Sequence, residues 1–159
     1  MNHRSQQTEI RALCECNPQD IIHASEMNHV PQWAKLNASN LSTAIDDLSR
    51  VFVHNNQIVG WLITFPLLDK TLDYRILWVN DDHRKTGLAI RALTAIIRQA
   101  HFQDNVKTAT SANDCGKPWP KGFFIMHSQN QAMVNFANKR LVPGTNQQST
   151  LIYREKLIK

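Results

Sequence analysis

The stretch Asp81–Ala89, DDHRKTGLA, decides the fold that this sequence predicts. It lies between an apolar run, RILWVN, and a run with helical periodicity, IRALTAIIRQA. A helix that begins directly after a strand exposes unpaired backbone N–H groups and the positive end of its dipole, which together favour an anion such as phosphate. Gly87 lets a ligand approach the backbone closely, and Ala89 keeps the next turn small. Arg84 and Lys85 add positive charge, and arginine can bind phosphate through two parallel hydrogen bonds.

This motif differs from two well-known phosphate-binding loops. It lacks the second glycine and the Lys-Ser/Thr pair of GxxxxGK[ST]. It also lacks the GxGxxG pattern, and no repeated strand–helix–strand unit supports a dinucleotide-binding fold. The residues of the motif alone therefore leave two interpretations open, an anion-binding turn and a solvated polar loop.

Length and composition are those of one soluble globular domain. The chain has 159 residues, of which 42% are hydrophobic and 19% are charged. A chain of this length can bury a self-sufficient core, and we predict a single domain over residues 1–159. Its longest apolar runs, such as IVGWLITF, fall far below the ~20 residues of a membrane-spanning helix. The N-terminus, MNHRSQQTE, is polar and has no apolar signal core, which predicts cytoplasmic residence.

The net charge of +5 favours an anionic partner, such as a nucleotide cofactor, an acidic protein or a nucleic acid. Nucleic acid is the least favoured of these, because the basic residues are spread along the chain and no nucleic-acid-binding motif occurs. Cys14, Cys16 and Cys115 lack the paired spacing of a zinc site. We interpret them as free thiols in a reducing compartment, and no metal is predicted.

Short-range patterns predict the elements that precede the motif. Asn17 caps a helix in PQDIIHASEM, and a second short helix, LSTAIDDLS, is capped near Asn40. Arg50–His54 and Gln57–Phe65 are strands joined by Asn55-Asn56, a pair that tolerates the positive φ of a tight hairpin. A third strand, LDYRILWVN, places alternate side chains on one face, namely Asp73, Arg75, Leu77 and Val79.

The elements after the motif complete an α/β pattern. A helix of about fourteen residues begins at Leu88, with apolar side chains at spacings of three and four. Two segments, 106–111 and 122–127, are candidates for the strand beside the motif strand. A second long helix follows, with Ser128 or Asn130 as its cap, and STLIYREKL is a last strand. The order is two helices, three strands, a helix, a strand, a helix and a strand, which indicates one mixed sheet.

The motif and its surroundings resemble the GCN5-related N-acetyltransferase (GNAT) superfamily. Arg84–Ala89 is similar to the family's R/Q-x-x-G-x-G/A motif, and LWVNDDHRKTGLA matches its strand, Val, four residues and Arg-x-x-Gly. Asn130, followed by Met133, Phe136 and Lys139, resembles the family's second helix motif. The likeness covers the chain from about residue 50 to residue 155. It implies an α/β fold with a single mixed, mostly antiparallel twisted sheet flanked by helices.

The resemblance implies that the protein binds acetyl-CoA or coenzyme A (CoA) as a co-substrate. The backbone amides of the turn would hold the pyrophosphate, the strand before it would pair with the pantetheine arm, and Asn130 would bind the pantetheine or cap its helix. The implied cofactor-binding residues are Leu77, Trp78, Val79, Arg84, Lys85, Thr86, Gly87, Leu88, Ala89 and Asn130.

The catalytic residues are less clearly marked. Attack of an amine on a thioester needs a base for the ammonium group and an acid for the leaving thiolate. Asp73 falls where many relatives carry a Glu, and His127 ends a strand beside the implied cleft. The alternatives are a turn residue for Asp73 and a structural histidine for His127. The tyrosine that many relatives use as the acid aligns with Ala137, and the chain's two tyrosines, Tyr74 and Tyr153, lie elsewhere.

The resemblance therefore implies a CoA-dependent acyltransferase, specifically an N-acetyltransferase that acts on an amine of a small molecule or peptide. Because the usual tyrosine is missing, three alternatives stay open. The first is an enzyme that handles acyl-CoA or acyl-carrier protein, such as a decarboxylase. The others are a non-catalytic CoA-binding sensor and a basic nucleic-acid-binding protein. No membrane association is predicted, and a homodimer is compatible with the sequence.

Overall fold

The computed structural model describes residues 8–102, 119, 121–124, 135 and 139. The strands are β1 (Glu9–Ala12), β2 (Arg50–His54), β3 (Gln57–Leu67), β4 (Thr71–Val79) and β5 (Lys121–Phe124). They form one sheet in the order β1-β2-β3-β4-β5. Neighbouring strands are antiparallel, except that β4 and β5 are parallel. The sheet is mixed and mostly antiparallel, as predicted.

Three helices flank this sheet within the described residues up to 102. They are α1 (Pro18–Ser25), α2 (Ala38–Thr43) and α3 (Leu88–Ile97), and α3 continues as a π-helical turn, Arg98–Phe102. Asn17 caps α1 as predicted, because its side chain accepts a hydrogen bond from the Gln19 N–H. The predicted cap of the second helix is wrong. Asn37 is the N-cap of α2, and its side chain accepts from the Asn40 N–H at the third helical position. The Asn40 side chain in turn accepts from the Asn37 N–H.

The N-terminal strand is absent from the sequence prediction. Glu9–Ala12 pairs with β2 along its whole length, but four residues are too few to reveal an alternating pattern. The hairpin between β2 and β3 is confirmed. Asn55 and Asn56 have φ values of 51° and 62°, the left-handed region that a tight turn with this strand twist requires.

A β-bulge at Arg75 overturns the predicted face of β4. Ile63 of β3 is opposite Ile76, and the next residue, Thr64, is opposite Tyr74, so Arg75 is an extra residue on β4. The side chains on either side of the bulge therefore change face. Tyr74 packs in the same cluster as the partly buried Leu77, although an unbroken alternation would separate them. The expectation that Asp73 shares a face with Leu77 and Val79 is wrong for this reason.

Two hydrophobic clusters cover the two faces of the sheet. One cluster lies under α3 and contains Phe52, Leu72 and Tyr74. The other lies under α1 and contains Trp61, Phe65, Ile76 and Trp78, among others. The Trp61 indole N–H donates to the Ala34 carbonyl at 3.0 Å, which ties the loop between α1 and α2 to β3. These clusters fix β4 between two packed layers, with Leu77 and Val79 on the α3 side.

The C-terminal part of the prediction is only partly described. The pairing of Lys121–Phe124 with β4 agrees with the second of the two candidate segments, 122–127. The segment 106–111 and the last strand, STLIYREKL, lie outside the described residues, as does the cap of the second long helix at Ser128 or Asn130. In the described part of the chain, no helix has both the length and the apolar character needed to span a membrane. The prediction of one domain over 1–159 stays a prediction.

Candidate active site

The turn between β4 and α3 has the backbone of an anion-binding helix start. Gly87 is the N-cap of α3 and adopts the left-handed conformation, with φ 81° and ψ 7°. Among the described residues no side chain caps the helix. The first N–H groups of α3, which have no intrahelical partner, point out of the helix end. A Cβ on Gly87 would meet no atom of the described residues within 4 Å, its chain neighbours aside. Open space therefore adjoins Gly87.

The Arg84 side chain fastens this turn to the end of β4. Its Nε donates to the Val79 carbonyl at 3.0 Å, and its Nη1 lies 2.9 Å from the Asp81 carboxylate. The Thr86 hydroxyl donates to the His83 carbonyl within the same turn. Lys85 is exposed, and it too is left-handed, with φ 67°. Arg84 thus shapes the turn and shares its charge with Asp81, whereas Lys85 makes no ion pair with any described residue.

The edge of β4 that faces away from β3 has no described strand partner at its C-terminal end. The Asn80 N–H donates to the Val59 carbonyl at 2.8 Å, so its backbone turns towards β3. Because backbone groups alternate along a strand, those of Leu77 and Val79 point to the opposite edge. The described part of β5 pairs with β4 only as far as Tyr74. Beyond that residue, this edge of β4 has no strand partner in the described residues.

Trp78 has a different environment from its two neighbours. The same alternation turns its backbone groups towards β3. Its side chain is buried against Trp61, with ring centroids 4.8 Å apart, and His29 lies 5.9 Å away on the same side. Trp78 therefore contributes packing on the α1 side of the sheet. The backbone groups of Leu77 and the N–H of Val79 are those that an extended ligand could reach, whereas the Val79 carbonyl already accepts from Arg84.

Asp73 is a buried carboxylate in the middle of the sheet. Only 2% of it is exposed, and it lies opposite Phe65, which belongs to the cluster under α1. Its Oδ2 accepts a hydrogen bond from Arg75 Nε at 2.8 Å, and Arg75 also covers the Phe65 ring. Its Oδ1 is buried and has no partner among the described residues. Burial raises the pKa of Asp73, and the hydrogen bond and charge of Arg75 oppose this shift.

A second buried polar group on β4 lies on the other face of the sheet. The Tyr74 hydroxyl is 2.7 Å from His101 Nε2, and His101 Nδ1 is 2.7 Å from the Trp119 carbonyl oxygen. The Tyr74 ring stacks on Phe124 of β5, with centroids 4.5 Å apart. Sequence analysis missed this group, because its members are far apart in the chain and belong to no motif. The sequence signal for His101 is only its place at the end of the helix that follows the motif.

Two predicted site residues, His127 and Asn130, lie outside the described residues, as does Ala137 at the position of the usual tyrosine. The structure brings the turn 84–89 to the end of β4, next to Val79. It puts Asp73 before the bulge, on the strand face that packs under α1.

A cavity of about 710 Å³ lies between α1 and the β2–β3 hairpin. Its lining includes the carboxylates of Glu15 and Asp20, the imidazoles of His23 and His29, and the guanidinium of Arg11. The lining also reaches Asn80 at the end of β4. The cavity is thus on the α1 side of the sheet, and it mixes charges of both signs.

Comparison with known proteins identifies the fold. No known family profile matches the sequence, and no curated protein matches it. Diaminobutyrate acetyltransferase EctA from Paenibacillus lautus, in complex with its substrate L-2,4-diaminobutyric acid and coenzyme A, matches at 17% identity with a TM-score of 0.57. The match covers 84% of this chain and 76% of that one. A GNAT-family acetyltransferase from Staphylococcus aureus Mu50 matches over 84% of this chain and 82% of its own, at 10% identity and a TM-score of 0.54.

A third structure, Naa50 from Arabidopsis thaliana in complex with the bisubstrate analogue CoA-Ac-MVNAL, is similar over a shorter length. It matches 58% of this chain and 64% of its own, so the aligned part spans less than two thirds of that protein. The identity is 13% and the TM-score is 0.47. The first two likenesses, together with the mixed sheet and the strand–turn–helix at Gly87, confirm the predicted fold. This chain has the α/β fold of the GNAT acetyltransferases.

Proposed function

We propose that this protein is a CoA-dependent acyltransferase that transfers an acetyl group from acetyl-CoA to an amine of a small molecule or peptide. The observation that carries the proposal is the junction of β4 and α3. There an uncapped helix start with a left-handed glycine adjoins a strand edge that has no described strand partner. In the same fold, the EctA structure holds coenzyme A together with a diamine substrate.

The residues at this junction fit the chemistry of CoA. The backbone N–H groups of Lys85 to Ala89 would hold the pyrophosphate, because they meet the positive end of the α3 dipole. The Lys85 ammonium group would add charge that no described residue neutralises. The backbone groups of Leu77 and the N–H of Val79 would pair with the amides of the pantetheine arm as a further strand does. When bound, acetyl-CoA supplies an activated acyl thioester that an amine can attack directly.

Asp73 is the base in this proposal. Its Oδ1 is buried without a described partner, so it has a free acceptor position for a proton or an ammonium group. A carboxylate whose pKa is raised by burial takes up a proton more readily near neutral pH than an exposed one. In the reaction, the C–N bond forms, the C–S bond breaks and the ammonium proton passes to Asp73. Since Ala137 replaces the usual tyrosine, a water molecule would relay the second proton of the amine nitrogen to the leaving thiolate.

Ligand-induced stabilisation tests CoA binding before any acceptor is known. A ligand present at about 100 times its Kd should add roughly 2.7 kcal/mol to the free energy of unfolding, which raises the Tm by about 5–10 °C for a domain of this size. Arg84→Ala should weaken CoA binding, since Arg84 holds the turn to Val79. Arg98→Ala is the matched control, because it removes the same charge from an exposed position at the other end of α3.

The transfer step is then tested with a panel of small amines and short peptides, with release of the CoA thiol as the readout. Transfer to at least one class of amine is the expected result. If neither CoA nor acetyl-CoA shifts the Tm of the wild-type protein, the whole proposal fails. If both ligands bind but no amine releases CoA, the non-catalytic sensor is favoured instead. Cytoplasmic residence and a homodimer stay predictions in either case.

A further inference from the structure

The ion pair of Asp73 and Arg75 leaves part of each group unused. A guanidinium and a carboxylate can meet through two parallel hydrogen bonds, which engage both carboxylate oxygens. In this pair only Arg75 Nε donates, at 2.8 Å from Asp73 Oδ2. Asp73 Oδ1 is buried without a described partner, and no described residue accepts a hydrogen bond from the two Nη groups of Arg75. One acceptor and several donors therefore lie close together without being matched to each other.

The Arg75 guanidinium is held in place by contacts on two sides. Its Nε is bonded to Asp73, and its Cζ lies 4.2 Å from the centroid of the Phe65 ring, a cation–π contact. Phe65 is buried and lies opposite Asp73 in the sheet, so the ring beneath the guanidinium is itself fixed by packing. Nevertheless, 48% of the Arg75 side chain is exposed among the described residues. The Nη groups are thus oriented before a ligand binds.

The bulge in β4 puts this guanidinium on the same face as the proposed base. Phe65 and Ile76 belong to the cluster under α1, and Arg75 covers Phe65 on that side. In a regular strand, Arg75 and Ile76 would lie on opposite faces. Because Arg75 is the extra residue of the bulge, both lie on the α1 side. Arg75 can therefore stand beside Asp73 while Ile76 still packs in the core.

The charges of the pair determine what kind of acceptor fits it. Asp73 and Arg75 together are neutral, so an acceptor that brings only an ammonium group would add one uncompensated positive charge beside a buried carboxylate. Such a charge is costly away from water. An amino acid brings an ammonium group that can donate to Asp73 Oδ1. It also brings a carboxylate that can accept from the two Nη groups of Arg75 through parallel hydrogen bonds. The four charges then cancel.

We propose that the acceptor of the acetyl group is a small amino acid, whose ammonium group binds Asp73 Oδ1 and whose carboxylate binds the Nη groups of Arg75. This inference rests on the proposed function. The amine nitrogen attacks the thioester and passes its proton to Asp73 as described above, and the acceptor carboxylate takes no part in the bond changes. It stays paired with Arg75 in the product, an N-acetyl amino acid. Arg75 is then a specificity-determining residue.

Pairs of acceptors that differ in one charge test this inference. Each of the twenty common amino acids, ornithine and 2,4-diaminobutyric acid is compared with its carboxamide, which keeps the amine and removes the negative charge. Release of the CoA thiol from acetyl-CoA gives kcat and KM for each acceptor. Calorimetry with the CoA-saturated protein measures acceptor binding without turnover. We expect at least one amino acid to exceed its carboxamide in kcat/KM by roughly 10- to 100-fold, the size of one charge-assisted hydrogen bond, mostly through KM.

Two substitutions of Arg75 identify the group that binds the carboxylate. Arg75→Gln removes the charge, whereas Arg75→Lys keeps the charge and loses the two parallel donors. Arg75→Gln should lose most of the preference for the amino acid over its carboxamide, and Arg75→Lys should keep part of it. Arg11→Gln is the matched control, since Arg11 pairs with Glu9 of β1 at the same spacing of two residues. It should keep the wild-type preference.

Different results would overturn the inference and the proposed function. If the carboxamides are acetylated as well as the amino acids, or if Arg75→Gln keeps the wild-type preference, Arg75 does not bind an acceptor carboxylate. The inference also fails if CoA binds but no amino acid binds the CoA-saturated protein or releases the thiol. If neither CoA nor acetyl-CoA shifts the wild-type Tm, the proposed function itself fails, and this is visible before any acceptor is tried. Should circular dichroism show that Arg75→Gln is unfolded, Arg75→Lys and the wild-type acceptor pairs decide.

Discussion

Replacing Gly87 separates its backbone role from its role beside a ligand. At φ 81°, Gly87 is in a region where a residue with a side chain costs about 1–2 kcal/mol. Alanine recovers about 0.4–1 kcal/mol of this through the smaller conformational freedom of its unfolded chain. The described residues add no steric cost, since none of their atoms beyond the chain neighbours lies within 4 Å of a Cβ at this position. Gly87→Ala should therefore lower the free energy of unfolding by about 1 kcal/mol, or the Tm by about 2–4 °C.

The effect of the same substitution on CoA affinity should be larger than its effect on stability. A methyl group in the open space beside Gly87 would keep the pyrophosphate away from the N–H groups of the α3 start. Loss of one charge-assisted hydrogen bond, worth about 1.5–3 kcal/mol, corresponds to a roughly 10- to 100-fold higher Kd. Gly87→Asn should restore most of the stability, because asparagine tolerates the left-handed region, but it should bind CoA no better than Gly87→Ala.

Urea unfolding and calorimetric titration with CoA measure the two effects independently. Asn56→Ala is the control, since it places alanine in another left-handed position, in the exposed β2–β3 turn. It should lose similar stability and keep the wild-type affinity for CoA. If Gly87→Asn binds CoA as tightly as the wild type, no ligand approaches Gly87 closely, and the assignment of the turn to the pyrophosphate is refuted.

Three further substitutions test the sheet around the site. Asp73→Asn should lower the rate of acyl transfer at least about tenfold with little change in CoA affinity, which steady-state rates and calorimetry check. Burial raises the pKa of Asp73 in the folded state above its ordinary value of 3.8. The free energy of unfolding of the wild type should therefore rise relative to that of Asp73→Asn as the pH falls from neutral towards 3.8. Urea unfolding at several pH values measures this difference. Gly122→Ala should cost about 1–3 kcal/mol by urea unfolding, since its Cβ would press on the His101 ring. Gly60→Ala should reduce the yield of folded protein measured by circular dichroism, because its Cβ would clash with the Trp78 carbonyl.

Local sequence was sufficient for the features that depend on neighbouring residues. The Asn55-Asn56 turn, the Asn17 cap and the start of α3 at Leu88 are confirmed. Each is determined by backbone preferences within a few residues, so its signal lies in a short stretch of sequence. The Gly87 turn belongs to the same class, because its left-handed residue, the helix start and the preceding strand are contiguous. The backbone geometry of the turn proposed to bind CoA was predictable for this reason.

Features that depend on pairing between distant residues were not predictable. The bulge at Arg75 is defined by the register of β4 against β3, and no local pattern marks it. It exchanges the faces of all the residues after it, so the expected grouping of Asp73 with Leu77 was wrong. The pair of Tyr74 and His101 likewise depends on the return of the chain from α3 to β5. Only the tertiary fold brings these two side chains together.

The bulge also explains how one strand can serve two sides of the sheet. Asp73 precedes Arg75 and faces the α1 side, and its buried Oδ1 has no partner among the described residues. Leu77 and Val79 follow the bulge and pack on the α3 side, and their backbone groups point to the edge that has no described strand partner. A regular strand would have put the side chains of Asp73, Leu77 and Val79 on one face. The extra residue Arg75 instead puts the Asp73 carboxylate on the opposite face from the two residues whose backbone is proposed to bind the pantetheine arm. An amine that approaches from the α1 side would then have Asp73 on its own side of the sheet when it meets the acyl group.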